Sequence, residues 1–154
     1  IQEAQEMARK GTEALGGAGL FGAEFFLTDE GVYFSELSPR PHDTGMVNLA
    51  GTQNFNEFEL HLRAILSLPI AEITLEKAGA SAVILATENS NNPTFTGIEN
   101  VASLPKTDFS LFGKPTSRPY RRMGVVLSYD SLATPIETIV DRAKKTASLV
   151  TVNS

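Results

Sequence analysis

The amino-acid sequence predicts an α+β fold, and three observations carry that expectation. The opening stretch places apolar side chains at helical spacing, residues 20–38 alternate like two strands around a turn, and from Ser81 the chain breaks into short strand-like runs closed by a final helical segment. With 154 residues, 42% hydrophobic and 20% charged, the composition is that of a globular protein with a real core.

Each element has a local reason. "IQEAQEMARKGTEAL" puts Ala4, Met7, Ala8, Ala14 and Leu15 at helical spacing, and "LGGAGL" then breaks the pattern with glycine. "LFGAEFFLT" and "VYFSELS" flank Asp29-Glu30-Gly31, which is a hairpin signal. "FNEFELHLRAILSL" aligns Phe55, Phe58, Leu62, Ile65 and Leu66 on one helical face, with Asn54 or Asn56 as N-cap and Leu68-Pro69 as the stop. "SAVILA", "DFSLF" and "MGVVLSY" read as strands between Asn, Pro and Gly turns, and a last helix is expected from about Pro135 to Leu149. "ENSNNPT" reads as a surface turn dividing two subregions.

Charge and cysteine content narrow the function classes. A net charge of −5 gives no electrostatic footprint for nucleic acid, and no apolar run approaches the length of a membrane span. The absence of cysteine excludes thiolate metal sites and fits a cytoplasmic protein, so any metal is held by oxygen or imidazole. The chain opens without an initiator methionine or signal peptide and already in helical register, so it is expected to begin inside a longer protein.

The hairpin poses an electrostatic question. A three-residue loop, Asp29 to Gly31, with glycine last would pair Thr28 with Val32 and, counting back, Glu24 with Glu36. Directly opposed carboxylates roughly 5 Å apart repel by about 3 kcal/mol at an effective dielectric near 20. Either a divalent cation such as Mg²⁺ offsets that repulsion, since two carboxylates leave positions open for water and phosphate, or the register is shifted by one and both side chains face water. The segment that comes next, "YFSELSPRPHDTG", is stiffened by Pro39 and Pro41 and presents Arg40, His42, Asp43 and Thr44 in close succession.

The stretches "GLFGAEFFLTDEGVYFSELSPRPHDTGMV" and "EFELHLRAILSLPI", with "SAVIL", "FGKP" and "RRMGV" further on, resemble the C-terminal part of the formate-dependent phosphoribosylglycinamide formyltransferases, an ATP-grasp family. The resemblance implies the C-terminal half of an ATP-grasp domain, an antiparallel sheet with helices over residues 1–72, and a small β-rich C-terminal domain over 73–154. It also implies a cytoplasmic enzyme whose substrates are ATP, formate and glycinamide ribonucleotide, with Mg²⁺ on Glu24 and Glu36; a homodimer is expected as well. Asp43 and Arg40 are the candidate catalytic residues, Asp43 also matching a contact to the ribonucleotide. Lys114, Arg121 and Arg122 match the cluster on its phosphate. The portion supplying adenine binding lies outside the resemblance, so this chain alone is expected to be inactive.

Bland readings stand beside these. His42 is expected to orient rather than act as a base, and His61 to be a packed or surface residue. Arg40 suits either a phosphate or a carboxylate, and Arg121-Arg122 by themselves are a solvated dipeptide. Gly16, Gly17 and Gly19 connect a helix to a strand, the wrong order for a phosphate loop. Two rival functions remain: the carboxyaminoimidazole ribonucleotide synthase relative, which has Asn-Ser-Gly-His where this chain has Asp43-Thr44-Gly45-Met46, and a non-catalytic binding module on the same scaffold.

Overall fold

Helix α1 (Gln2–Leu15) is held at its surface by Arg9, which reaches Glu6 at 2.6 Å and Glu13 at 2.7 Å, one turn away on either side. Gly16, at φ 67°, ends it. The computed structural model describes residues 1–154, which divide into two compact units. One comprises Ile1–Gly45 and Phe55–Ile73, the other Met46–Asn54 and Thr74–Ser154. The division therefore differs from a single cut after residue 72, because residues 46–54 group with the later part of the chain.

In the first unit, strands β1 (Gly22–Thr28) and β2 (Gly31–Ser38) pair antiparallel. The turn is one residue shorter than expected: Thr28 pairs with Gly31, so only Asp29 and Glu30 form the loop. The Thr28 hydroxyl caps it, accepting from the Glu30 N–H and donating to the Gly31 carbonyl, both at 3.2 Å. Phe26 therefore faces Tyr33, and Phe25 faces Phe34, each one step off the expected register. A β-bulge then leaves Ser35 unpaired and restores the offset, so Glu24 does oppose Glu36. The expected pair is present, but by a short loop plus a bulge rather than by a long loop.

Helix α2 (Glu57–Ile65) begins with a capping box. The Asn56 side chain accepts from the N–H groups of Phe58 and Glu59, and Glu59 returns to the Asn56 N–H at 2.8 Å. It turns Glu57 and Leu60 inward. His61 is structural: its Nδ1 accepts the Leu20 N–H at 2.9 Å, which pins the glycine-rich connection to the helix.

The second unit is built on a three-stranded antiparallel sheet, order β3 (Ala78–Leu85), β6 (Arg122–Asp130), β5 (Thr107–Leu111). The central strand is buried continuously from Met123 to Ser128, because both of its faces are covered. One face packs Ile84, Met123, Val126 and Val101. On the other, Val125 and Leu127 meet Ala50, Met46 and Leu49 from the 46–54 segment. Helix α4 (Ile136–Ala147) packs on β3 and β6. Four short elements were not anticipated: β4 (Thr94–Thr96) and β7 (Thr151–Asn153), which pair with each other, helix α3 (Ile98–Ala102), and a 3-10 helix over Gly45–Ala50. Gly97, at φ 84°, sits so close to the Leu149 carbonyl that no Cβ would fit. At the end of β6, Asp130 receives Lys106 at 2.7 Å and Arg142 at 2.9 Å, which hold its carboxyl well below the usual carboxylate range.

Candidate active site

In the first unit the site begins at the open end of the hairpin. Glu24 and Glu36 are direct cross-strand partners, which brings two carboxylates onto neighbouring strands. Ser38 donates to Glu36 Oε1 at 2.7 Å. The two prolines then turn the chain sharply: Arg40 N–H bonds the Ser38 carbonyl at 2.9 Å and Gly45 N–H bonds the His42 carbonyl at 2.8 Å. That path returns His42 to β1, where glycine at position 22 leaves room for it; a Cβ there would lie 3.0 Å from His42 Cβ.

His42 is mostly buried and joins the loop to the hairpin. Its Nε2 lies 3.0 Å from Glu24 Oε1, and its Nδ1 lies 3.0 Å from Thr44 Oγ1 and 3.2 Å from Asp43 Oδ1. The expected orienting role is thus visible, since the imidazole fixes one carboxylate of the pair while touching Asp43. Arg40 is exposed, and its Nη1 donates to the Pro41 carbonyl at 2.9 Å, while its charge acts on the Glu57 carboxyl.

One residue escaped sequence reasoning. Glu57 is buried at 2% exposure, and its Oε2 accepts the His42 N–H at 3.0 Å. Gly45 approaches so closely that a Cβ there would lie 2.5 Å from the same oxygen. Burial pushes the Glu57 carboxyl up, a shift partly opposed by the His42 N–H and charge. An acid in the first turn of a helix looks like an ordinary helix-dipole residue, so nothing local marks it as the anchor of a loop fifteen positions upstream.

The second unit carries the basic cluster. Lys114 Nζ donates to the Arg122 carbonyl at 2.6 Å, which ties the end of the β5 extension to the start of β6. Arg121 Nη1 donates to both oxygens of Thr116, to Oγ1 at 2.6 Å and to the carbonyl at 2.9 Å. Lys114 and Arg122 are brought together, while the Arg121 side chain folds onto the connecting turn.

No group of three or more histidine, aspartate or glutamate side chains converges as a self-sufficient metal cage. The donor set that does exist suits Mg²⁺: two opposed, hard carboxylates, one oxygen of each engaged by His42 or Ser38, with coordination left over for water and phosphate. Glu24 and Glu36 are the residues that would hold it.

Comparison with known proteins defines the class first. Residues 1–58 match the family model of the ATP-grasp domain. Residues 79–150 match that described as PurT, C-terminal. The chain is 82% identical over 99% of its length to the formate-dependent phosphoribosylglycinamide formyltransferase of Flavobacterium psychrophilum, of which it covers 40%. It is 58% identical over 99% of its length to the one of Bacteroides thetaiotaomicron, again covering 40%. Among solved structures, an N5-carboxyaminoimidazole ribonucleotide synthetase from Thermotoga maritima superposes with a TM-score of 0.80 at 31% identity, covering 99% of this chain and 42% of that one. A transformylase T from Mycobacterium tuberculosis gives 0.65 at 27%, covering 95% of this chain and 40% of that one. The chain therefore belongs to the ATP-grasp superfamily, within the family of formate-dependent phosphoribosylglycinamide formyltransferases, and spans about 40% of the length of the curated relatives it matches.

Proposed function

We propose that this chain is part of a cytoplasmic enzyme that uses ATP and formate to convert glycinamide ribonucleotide to its formyl derivative in purine biosynthesis. A formate oxygen attacks the terminal phosphorus of ATP and ADP leaves, giving formyl phosphate. The substrate amine then attacks the formyl carbon, phosphate leaves, and the nitrogen gives up a proton. Glu24 and Glu36 would hold Mg²⁺, which when bound would supply neutralisation of charge on the nucleotide phosphates. His42 keeps the Glu24 carboxylate oriented. Asp43 accepts hydrogen bonds from the attacking amine, Arg40 adds a cation beside it, and Lys114 with Arg121 and Arg122 takes the ribonucleotide phosphate.

The observation that carries this reading is the 82% identity to a formate-dependent formyltransferase. Fold likeness by itself leaves the choice between formate and bicarbonate open, because synthetases of the carboxyaminoimidazole type superpose well at far lower identity. Opposed carboxylates, costly without a cation, count against a non-catalytic module. A homodimer is part of the proposal and is supported by the apolar surface of the hairpin, where Phe26 and Leu27 are 64% and 74% exposed. The deciding experiment is an assay of the full-length enzyme bearing this sequence for ADP release with glycinamide ribonucleotide. Formate dependence is the expected result; release driven by bicarbonate and aminoimidazole ribonucleotide would transfer the chain's function to the rival class.

A further inference from the structure

The donors at the start of α2 are served by its other polar residues: Asn56 takes the Phe58 and Glu59 N–H groups, and Glu59 takes the Asn56 N–H. Glu57, the first residue of that capped helix, sends its side chain instead to the proline-stiffened loop. There its Oε2 accepts the His42 N–H at 3.0 Å. The His42 carbonyl in turn accepts the Gly45 N–H at 2.8 Å, so residues 42–45 form a tight turn. Gly45 lies against the same carboxylate oxygen, which a Cβ there would approach to 2.5 Å. One carboxylate therefore grips both ends of a four-residue turn, and the residues between are Asp43 and Thr44.

That grip is costly, since a carboxylate at 2% exposure gives up its hydration. Burial, aided by the Asp43 charge, pushes its carboxyl up, opposed by the His42 N–H and by the His42 and Arg40 charges. The return is position. Asp43 is fixed through its backbone by the clamped turn and at its side chain by the His42 imidazole, whose Nδ1 lies 3.2 Å from Asp43 Oδ1 and 3.0 Å from Thr44 Oγ1. A functional carboxylate is held to its working geometry by supports of this kind, themselves locked by packing and hydrogen bonds. We propose that Glu57 is a positioning residue for the ribonucleotide: by clamping the turn from His42 to Gly45 it sets Asp43 where its carboxylate meets the attacking amine. The inference deepens the function proposed above and rests on it, and the test separates the two.

In the full-length enzyme, kcat/KM for glycinamide ribonucleotide at saturating ATP and formate, and KM for ATP, are measured for Asp43→Ala, Glu57→Ala, Glu57→Gln, Gly45→Ala and the Asp43→Ala, Glu57→Ala pair. Asp43→Ala lowers kcat/KM. Glu57→Ala lowers it about ten- to a hundredfold, the effect of a misplaced group, while KM for ATP stays within about twofold. Glu57→Gln keeps an acceptor for the His42 N–H and recovers most of that loss. Gly45→Ala pushes the carboxylate off the turn and reproduces the loss with Glu57 intact, so it carries the test if Glu57→Ala does not fold. In the Asp43→Ala background, Glu57→Ala costs less than about twofold more, because it acts through Asp43; a merely structural role would add its full loss in both backgrounds. If Asp43→Ala impairs use of the ribonucleotide and Glu57→Ala and Gly45→Ala do not, the inference fails while the functional reading stands. The same holds if the Glu57→Ala loss persists undiminished without Asp43, or if Glu57→Gln is as impaired as Glu57→Ala. An Asp43→Ala enzyme with an unchanged kcat/KM overturns the functional reading of Asp43 and the inference together.

Discussion

Two acidic residues in the first unit do opposite things with the same functional group. Glu36 is exposed and opposed to a second carboxylate, with the Ser38 hydroxyl on one of its oxygens, so its charge suits a cation brought in from outside. In the full-length enzyme Glu36→Gln is expected to raise the Michaelis constant for Mg²⁺-ATP by about tenfold or more with the circular dichroism spectrum unchanged, since shape is kept and one hard ligand is weakened. An unaltered Mg²⁺ dependence would remove the residue from the metal site. Glu57 is buried, and its carboxyl is pushed up chiefly by that burial. The native chain therefore keeps this proton to higher pH than the unfolded chain, so the stability it contributes is full below the ordinary carboxylate range and is lost as pH rises through the raised value. Glu57→Gln keeps an acceptor for His42 N–H but cannot ionise. Its melting temperature relative to the unaltered protein should climb as pH is raised through that window; a gap that stays constant with pH would show that ionisation of Glu57 has no part in stability.

At the scale of elements, local chemistry was the most readable. The capping box of α2 is written in "NEFE", and Asn56→Ala is expected to cost about 1 kcal/mol, read as a lowered midpoint in urea unfolding; a midpoint unchanged within error would mean that the cap contributes nothing net. The strands β3, β5 and β6 were legible because they are apolar runs bounded by turn residues, and β6 in particular is continuous rather than alternating because helices on one side and the 46–54 segment on the other cover both of its faces. The hairpin was legible as a hairpin, but its register was not. Nothing in "VYFSELS" announces that Ser35 bulges, and an error of one in the loop was cancelled by that unseen extra residue. The three-residue strands β4 and β7 were missed because a pairing that links positions 94–96 with 151–153 leaves no periodicity to read. For the same reason the contact of Glu57 with His42 was invisible, whereas Glu24 and Glu36 could be matched through the turn that joins them.

On the scale of the whole molecule, the two units are unequally furnished. The second buries Ile84, Met123, Val126, Leu127 and Ile139 almost completely, whereas Leu60 is the one buried apolar side chain of the first unit. The hairpin leaves Phe26, Leu27, Tyr33 and Phe34 between 49% and 74% exposed. A surface of that kind associates, so the chain is expected to sediment faster as its concentration rises, and Phe26→Ser combined with Phe34→Ser should reduce that dependence. A single monomeric species over a wide concentration range, before any substitution, would contradict it.

The grouping of residues 46–54 with the later chain bears on how such a protein can be rearranged. The polypeptide passes from one unit to the other three times, after Gly45, after Asn54 and after Ile73. The middle passage is anchored: Gln53 bridges Leu75, Glu76 N–H bonds the Thr52 carbonyl at 2.8 Å, and Ala50 sits against Val125 and Leu127. A gene cut at a single point cannot deliver both units intact. Severed after Ile73, the downstream piece would lose the cover over one face of its central strand, while the upstream piece would carry that cover away as an orphaned, partly apolar segment. Recombination between relatives at that junction is therefore tolerated only when both parents bring compatible versions of residues 46–54 and of the sheet they lie on, so the two units are constrained to vary as one inheritance.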